Sequence, residues 1–583
     1  MEKNDQVNHL TPEAWLPTTR KEVEARGWDS LDVILFSGDA YVDHPSFGAA
    51  VIGRILESMG LKVAIVPQPN WRDDWRDFKK LGVPRLFFAV SPGAMDSMMN
   101  RYTANKRLRS EDAYTPDKRP DMRPEYPSIV YTRILKQLFP TVPVVLGGIE
   151  ASLRRVAHYD YWQDRLRPGI LADSPADLLV YGMGEKPIIE LAKLLLKGVP
   201  FEKIRNLPQT AYITEHHSIS PDEQALFSYE DCLKDKRKQA MNFRIIEEES
   251  NKYASSTRLF QKTGDRTIVV NPPYPPATTQ EIDAWYDLPY TRLPHPKYKN
   301  KVIPAFEMIK FSVTIHRGCF GGCAFCTISA HQGKQIVSRS CESVLKEVEC
   351  ITKMPEFKGY VSDLGGPSAN MYQMKGKDLS ICRTCKKPSC IFPGICANLL
   401  TDHTPLLNLY RQSATIPGVK KICIGSGIRY DLLLYKSKNE VFNRASQQYM
   451  KTLITQHVSG RLKVAPEHTE NNVLNIMRKP SFKAFEKFKE IFDRINAKYR
   501  LNQQLIPYFI SSHPGCSDHD MAELAVKTKK MGFHLEQIQD FTPSPMTLAS
   551  EIYYTGYHPY TLEKIPCARS RSEKMHQRQF FFR

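Results

Sequence analysis

Strand-length apolar runs alternating with helical stretches constrain this chain most. Asp32-Val33-Ile34-Leu35-Phe36 reads as a buried strand, and Ser37-Gly38-Asp39 reads as the loop after it. Ala50, Val51, Ile55, Leu56 and Met59 then recur at helical spacing, and Gly60 suits a helix C-terminus. Similar runs fall at 62–66, 85–90, 142–146 and 177–181. The last three lead into Ser91-Pro92-Gly93, Gly147-Gly148 and Gly182-Met183-Gly184-Glu185. Such alternation predicts an α/β, doubly wound parallel sheet that meets ligands at the carboxyl ends of its strands. Neither a complete G-x-G-x-x-G nor a G-x-x-x-x-G-K-[ST] is present, so ordinary dinucleotide or P-loop chemistry is not supported.

A second alternating series starts near Ile309, with strands expected at 309–315, 359–362, 421–424, 461–464, 504–510 and 534–540. Helical patterns lie between them, at 341–354 and 482–498 for example. Six β/α units predict a partial TIM-like (β/α)6 barrel with its active site at the strands' C-terminal ends. The chain has 583 residues, too many for one core. The pattern divides it into an N-terminal domain (1–197), a connector (198–305), the barrel (306–563) with a Cys-rich insertion (380–398), and a basic tail (564–583). Within the first domain, 98–128 is a long Arg-, Lys-, Asp- and Pro-rich stretch for which disorder is expected. The connector carries a charged, helix-like segment at 234–262, and then Pro272, Pro273, Pro275 and Pro276.

Charge and cysteine usage narrow the chemistry. Lys and Arg outnumber Asp and Glu by 81 to 63, a balance that favours an anionic partner such as nucleic acid. Met1-Glu2-Lys3-Asn4-Asp5-Gln6 has no apolar core of a secretory signal, and no apolar run nears the ~20 residues of a membrane span. A cytoplasmic location with no membrane partner is expected. There, clustering among the 13 cysteines points to metal ligation or redox chemistry rather than disulfides.

Directly after the first strand of the second series comes His316-Arg317-Gly318-Cys319-Phe320-Gly321-Gly322-Cys323-Ala324-Phe325-Cys326. Thiolates are the ligands of an iron–sulfur cluster. Three of them can hold three irons of a cubane and leave the fourth without a protein ligand, which suits a reactive centre. A zinc loop completed by a distant residue is the alternative. A second group, Cys382, Cys385, Cys390 and Cys396, lies within fifteen residues. Four ligands complete either a tetrahedral zinc or an auxiliary iron–sulfur cluster, and the residue types do not separate the two. The His513-Pro514-Gly515-Cys516-Ser517-Asp518-His519-Asp520 segment reads as a strand-to-helix cap rather than a metal site.

The C-x₃-C-x₂-C run resembles the signature of the radical S-adenosylmethionine (SAM) superfamily. The stretch from Phe311 to Ser340, with Ser362-Asp363-Leu364-Gly365-Gly366-Pro367 and Gly425-Ser426-Gly427-Ile428-Arg429-Tyr430-Asp431, resembles the YgiQ-type radical SAM family. The resemblance implies a [4Fe-4S] cluster on Cys319, Cys323 and Cys326, SAM on its open iron, and an electron donor such as flavodoxin or ferredoxin. It also implies SAM contacts at Gly365, Gly366, Ser426, Arg429 and Glu467. Pro367 stands where the superfamily has an acid after its glycine pair, which leaves backbone contacts there.

The N-terminal domain is similar in strand order and Gly loops to the cobalamin-binding domain that precedes many radical SAM barrels. Asp43-His44-Pro45-Ser46-Phe47-Gly48 departs from the usual Asp-x-His-x-x-Gly loop, so cobalamin is disfavoured. Radical chemistry on an RNA or protein substrate is the expectation. Cobalamin-dependent methyl transfer is a second reading, and a non-catalytic iron–sulfur or zinc nucleic-acid-binding protein a third. The tail ends in Phe580-Phe581-Phe582, which should pack against the barrel or a partner.

Overall fold

The computed structural model describes residues 11–533 and 537–582. The opening hexapeptide and the first residues of the expected 534–540 strand lie outside them. Strands β1 (Leu31–Ser37), β2 (Val63–Pro67), β3 (Pro84–Ser91) and β4 (Val144–Leu146) open the chain. A separate hairpin follows, β5 (His158–Asp160) with β6 (Arg165–Arg167), and then β7 (Leu178–Val180). All seven residues of β1 are buried, which explains why the run is apolar throughout. Val33 and Leu35 face one core layer and Ile34 and Phe36 the other, as the pleat requires.

The stretch at 198–305 does more than connect. It supplies β8 (Thr210–Thr214), β9 (Glu223–Ala225), β10 (Arg258–Thr263) and β11 (Arg266–Val270) to a nine-stranded sheet ordered β2-β1-β3-β4-β7-β8-β11-β10-β9. The first five run parallel; β8, β11 and β10 alternate antiparallel, so the sheet is mixed rather than wholly parallel. The expected helix at 234–262 ends at Asn251, and after a short loop the chain enters β10 at Arg258.

Ordered structure also occupies 98–128, where disorder was expected. Arg123, only 2% exposed, reaches Asp39 at 2.9 Å and Asp112 at 3.1 Å, and its Nη1 donates to the Pro92 carbonyl at 3.0 Å. Those buried pairs anchor the stretch over the ends of β1 and β3.

The second half holds β12 (Ser312–Thr314), β13 (His316–Arg317), β14 (Val337–Ser338), β15 (Tyr360–Val361), β16 (Asp363–Gly365), β17 (Lys421–Ile422), β18 (Arg461–Glu467), β19 (Gln504–Ser511) and β20 (Gln537–Asp540). Parallel pairings join β12 to β16, β15 to β17, and β18 to β19 to β20. Helices Cys341–Thr352 and Phe482–Tyr499 cover one apolar core with Val313, Ile315 and Leu364. In the tail, Phe580 and Phe581 pack against this core and Phe582 stays 70% exposed.

A polar seam joins the halves. Arg317 pairs with Glu185, and Arg478 holds Glu247 through two contacts of 2.7 and 2.9 Å. Gln239, on helix Lys236–Asn251, donates to Glu551 of helix Leu548–Thr555 at 3.1 Å. Among the described residues no helix is long and apolar enough to cross a membrane.

Candidate functional site

The carboxyl ends of β1, β3, β4 and β7 meet those of β12 and β16 at a cavity of about 540 Å³. Ser91, Gly147, Gly148 and Met183 line it from the first half, and Thr314, His316, Asp363 and Gly366 from the second. A space of this size suits a small molecule or one inserted group of a larger one.

The cysteine loop leaves β13 through Gly318 at φ +85°, where a Cβ would fall 2.0 Å from the Gln335 carbonyl oxygen. Gly321 lies over the sulfurs: a Cβ there would come 3.2 Å from Cys319 Sγ and 3.9 Å from Cys323 Sγ. Its amide points at Cys319 Sγ at 3.4 Å. Burial, with Cys323 next, raises the Cys319 thiol. Burial pushes Cys326 up to about 12, helped by Cys323, Cys319 and the Glu467 carboxylate. Cys319 and Cys326 thus ionise more readily against a cationic centre. Among the described residues, no three His, Cys, Asp or Glu side chains converge on a point that could hold a single metal ion. Cysteine thiolates are the ligands of an iron–sulfur cluster, and the sulfurs of Cys319 and Cys323 flank Gly321.

Arg429 is the cation already present. Its Nε and Nη2 fork onto Asp431 at 3.0 and 2.6 Å, and Nη1 lies 3.5 Å from Cys323 Sγ. Asn370 fixes its backbone from both sides, at 2.7 and 2.9 Å. Its charge is therefore shared between a carboxylate and a thiol.

Gly365 and Gly366 do not simply leave a gap. A Cβ on Gly365 would sit 1.9 Å from Ser426 Oγ, and one on Gly366 2.6 Å from the His316 ring. Ser426 is engaged by Asp363, whose Oδ1 accepts from the Gly425 and Ser426 amides at 2.8 and 3.1 Å and from Ser426 Oγ at 3.1 Å. Burial raises Asp363 despite these donors. Glu467 ends β18 at φ +68°, a strained backbone for a non-glycine residue. Burial raises its carboxyl too, and Lys479 Nζ is its ion-pair partner at 3.6 Å.

Two residues here carry no sequence signature. His316 is fully buried, neither ring nitrogen has a hydrogen-bond partner among the described residues, and burial depresses it to about 3. It is a neutral imidazole beside the cavity. Asp363 could have been singled out only as the acid just before the glycine pair. In the first half, His44 accepts the Ser46 amide at Nδ1 (3.0 Å) and leaves Nε2 unpartnered. Pro45 and Ser46, rather than His44, line the cavity.

The family model for the "Radical SAM N-terminal" domain matches residues 15–312. A UPF0313 protein of Bacteroides thetaiotaomicron is 68% identical over 97% of this chain and 94% of its own length. The UPF0313 protein YgiQ of Escherichia coli K12 is 44% identical over 94% of this chain and 80% of its own. Among solved structures, the radical SAM methyltransferase TsrM of Kitasatospora setae, with cobalamin and a [4Fe-4S] cluster bound, aligns with a TM-score of 0.46 at 14% identity, over 89% of this chain and 77% of its own. The cobalamin-dependent radical SAM enzyme OxsB aligns at 0.49 and 11%, over 91% and 56%. By its family model and its full-length relatives, the chain belongs to the UPF0313, YgiQ-type family of radical SAM enzymes.

Proposed function

We propose that Cys319, Cys323 and Cys326 hold a [4Fe-4S] cluster at which SAM is reductively cleaved, and that the resulting radical acts on a group seated in the cavity between the halves. The observation that carries the reading is the C-x₃-C-x₂-C loop whose Cys319 and Cys323 sulfurs flank Gly321, next to the Arg429 guanidinium. When bound, the cluster supplies an electron to the sulfonium of SAM, giving methionine and a 5′-deoxyadenosyl radical.

The chain's own residues do the rest. Arg429 keeps its hold on Asp431 while turning one N–H toward the sulfur side, which moderates thiolate charge. Asp363 carries the carboxylate that Pro367 lacks and is placed to accept from the SAM amino group. Gly366 offers its backbone carbonyl beside Gly365, whose own carbonyl accepts the Ile315 amide at 2.8 Å, and Glu467 offers its carboxylate to the ribose hydroxyls. His316, neutral and unpartnered, presents a donor and an acceptor to whatever enters the cavity. We read β12, β15 with β16, β17, β18, β19 and β20 as the staves of one partial (β/α)6 barrel around this site. An RNA or protein substrate fits a space of this size by inserting one base or one side chain.

Anaerobically reconstituted protein with dithionite and SAM should release 5′-deoxyadenosine, and Cys319→Ala should abolish it. Iron-free protein from oxygen-free purification, or a cluster whose spectrum ignores SAM, would overturn the reading. Cobalamin-dependent methyl transfer is the second reading, favoured by the free His44 Nε2. A base-off to histidine-on change in the cobalamin spectrum, lost in His44→Ala, would support it.

A further inference from the structure

A second set of thiols stands apart from the site just described. Cys382, Cys385, Cys390 and Cys396 belong to one insertion whose backbone folds back on itself. The Cys385 amide donates to the Cys382 carbonyl at 3.2 Å, and the Cys396 amide to the Cys390 carbonyl at 2.8 Å. All four are free thiols. A Cβ on Gly376 would meet Cys382 Sγ at 2.6 Å, and Asn398 Nδ2 lies 3.4 Å from the same sulfur. Lys334 is the revealing neighbour. It is only 3% exposed, its Nζ lies 4.0 Å from Cys385 Sγ and 2.5 Å from the Lys387 carbonyl, and among the described residues it makes no ion pair with a carboxylate. A buried ammonium without a carboxylate is costly. Facing four thiols, it becomes favourable once those thiols carry the negative charge of a metal–thiolate centre.

The two cysteine groups are physically joined. Phe320 follows Cys319, and its carbonyl accepts the Cys390 amide at 3.0 Å and Ser389 Oγ at 3.3 Å. Gly322, between Cys319 and Cys323, lies so close to Pro388 that a Cβ would come 2.3 Å from its carbonyl oxygen. Cys319, Cys390 and Cys396 pack against one apolar cluster that contains Phe320, Met371 and Met374. One residue and one hydrogen bond therefore separate a thiol of the first group from a thiol of the second. On the outer side, Lys375, Lys377, Arg383, Lys386 and Lys387 are exposed. Such a basic rim suits an acidic protein partner.

We propose that Cys382, Cys385, Cys390 and Cys396 hold a second iron–sulfur cluster, which relays single electrons from an acidic one-electron carrier protein docked on the basic rim to the centre at Cys319, Cys323 and Cys326. The proposal rests on the reading of that first centre given above. Zinc, the other metal that four cysteines can hold, carries no electron and could not serve as a relay. The balance is simple. One electron leaves the reduced carrier, enters the second cluster and passes to the first; no bond forms or breaks and no proton moves.

The test begins with iron, sulfide and zinc counts on anaerobically reconstituted full-length protein. About eight irons and eight sulfides are expected, falling to about four of each when Cys319, Cys323 and Cys326 are all changed to Ala, and to about four when Cys382, Cys385, Cys390 and Cys396 are. About four irons with one zinc in the unaltered protein overturns the second cluster and leaves the first standing. An iron count that does not fall when the first triad is removed overturns the first reading instead. Should the fourfold variant fail to fold, electron paramagnetic resonance of reduced unaltered protein still decides: two interacting cluster signals support the proposal and one overturns it. For the relay, Arg383→Glu with Lys387→Glu should lower the ratio of SAM cleavage driven by reduced flavodoxin to that driven by dithionite about tenfold at low salt. An unchanged ratio overturns the relay.

Discussion

The two halves meet edge to edge and both end their strands in glycine-rich turns, yet they differ in what their polar groups are left to do. On the first edge the charges are consumed. Asp39 holds Arg123 at 2.9 Å and accepts the Ala94 amide at 2.6 Å, Asp96 holds Arg154, and Asp43 holds Arg54. On the second edge Arg429 and Asp363 are engaged too, but other groups stay idle or strained. His316 has two idle nitrogens, Glu467 sits raised and strained, and the thiols of Cys319 and Cys323 flank Gly321. A glycine-rich edge is permissive in either half; unsatisfied or strained groups mark where chemistry is waiting.

The contrast breaks most visibly at Arg123. Arg123→Leu should leave Asp39 and Asp112 buried without their cation and cost about 3–5 kcal/mol. Thermal or denaturant unfolding measures it, and adding Asp39→Asn and Asp112→Asn should recover much of the loss. If Arg123→Leu is silent, the first edge is not the closed ionic structure described here.

The seam gives a pH signature of a few kcal/mol. Glu551 is 2% exposed and burial raises it to about 8, with Gln239 opposing. A carboxyl whose folded value lies above its unfolded 4.5 contributes stability that is complete below pH 4.5 and is lost as pH climbs to about 8. Glu551→Gln should therefore flatten the profile. It should melt higher than the parent at pH 9 and no higher at pH 4.5. Equal slopes for the two proteins between those pH values would remove Glu551 from the account.

Much of this was legible in residue order, and the failures have physical causes. The five parallel strands were found because burial on both faces makes them continuous apolar runs. β10 was missed because it mixes Arg258 and Lys262 with Leu259 and Phe260, so its period resembles that of the preceding helix. The order of 98–128 depends on Arg123 finding Asp39 from a distant strand, which no local pattern records. The cysteines announced themselves by spacing. His316 and Asp363 did not, since a single His or Asp acquires meaning only from the Gly366 and Ser426 that another loop or strand brings to it.

Glu467 lets stability and function be driven apart. Its φ of +68° costs about 1 kcal/mol or more in any residue but glycine, so in Glu467→Gly the relieved strain should offset the lost Lys479 ion pair and leave the melting temperature little changed. The same change removes the carboxylate offered to SAM and should weaken SAM binding about tenfold, roughly 1.4 kcal/mol. Calorimetric titration of cluster-loaded protein with SAM measures the second effect. Concordant loss of both would mean that the carboxylate serves Lys479 and the fold alone.

The smallest change in stability and the most specific change in chemistry should come from His316→Leu. An imidazole with no hydrogen-bond partner contributes little to folding, so removal should shift stability by less than about 1 kcal/mol. That near-silence is the opposite of Arg123→Leu and sharpens the contrast between the two edges. If His316 meets the substrate rather than SAM, the variant should still cleave SAM with dithionite while losing the coupling of 5′-deoxyadenosine release to substrate consumption. A destabilisation of several kcal/mol would show instead that the imidazole is held by the fold. The second edge would then be as closed as the first.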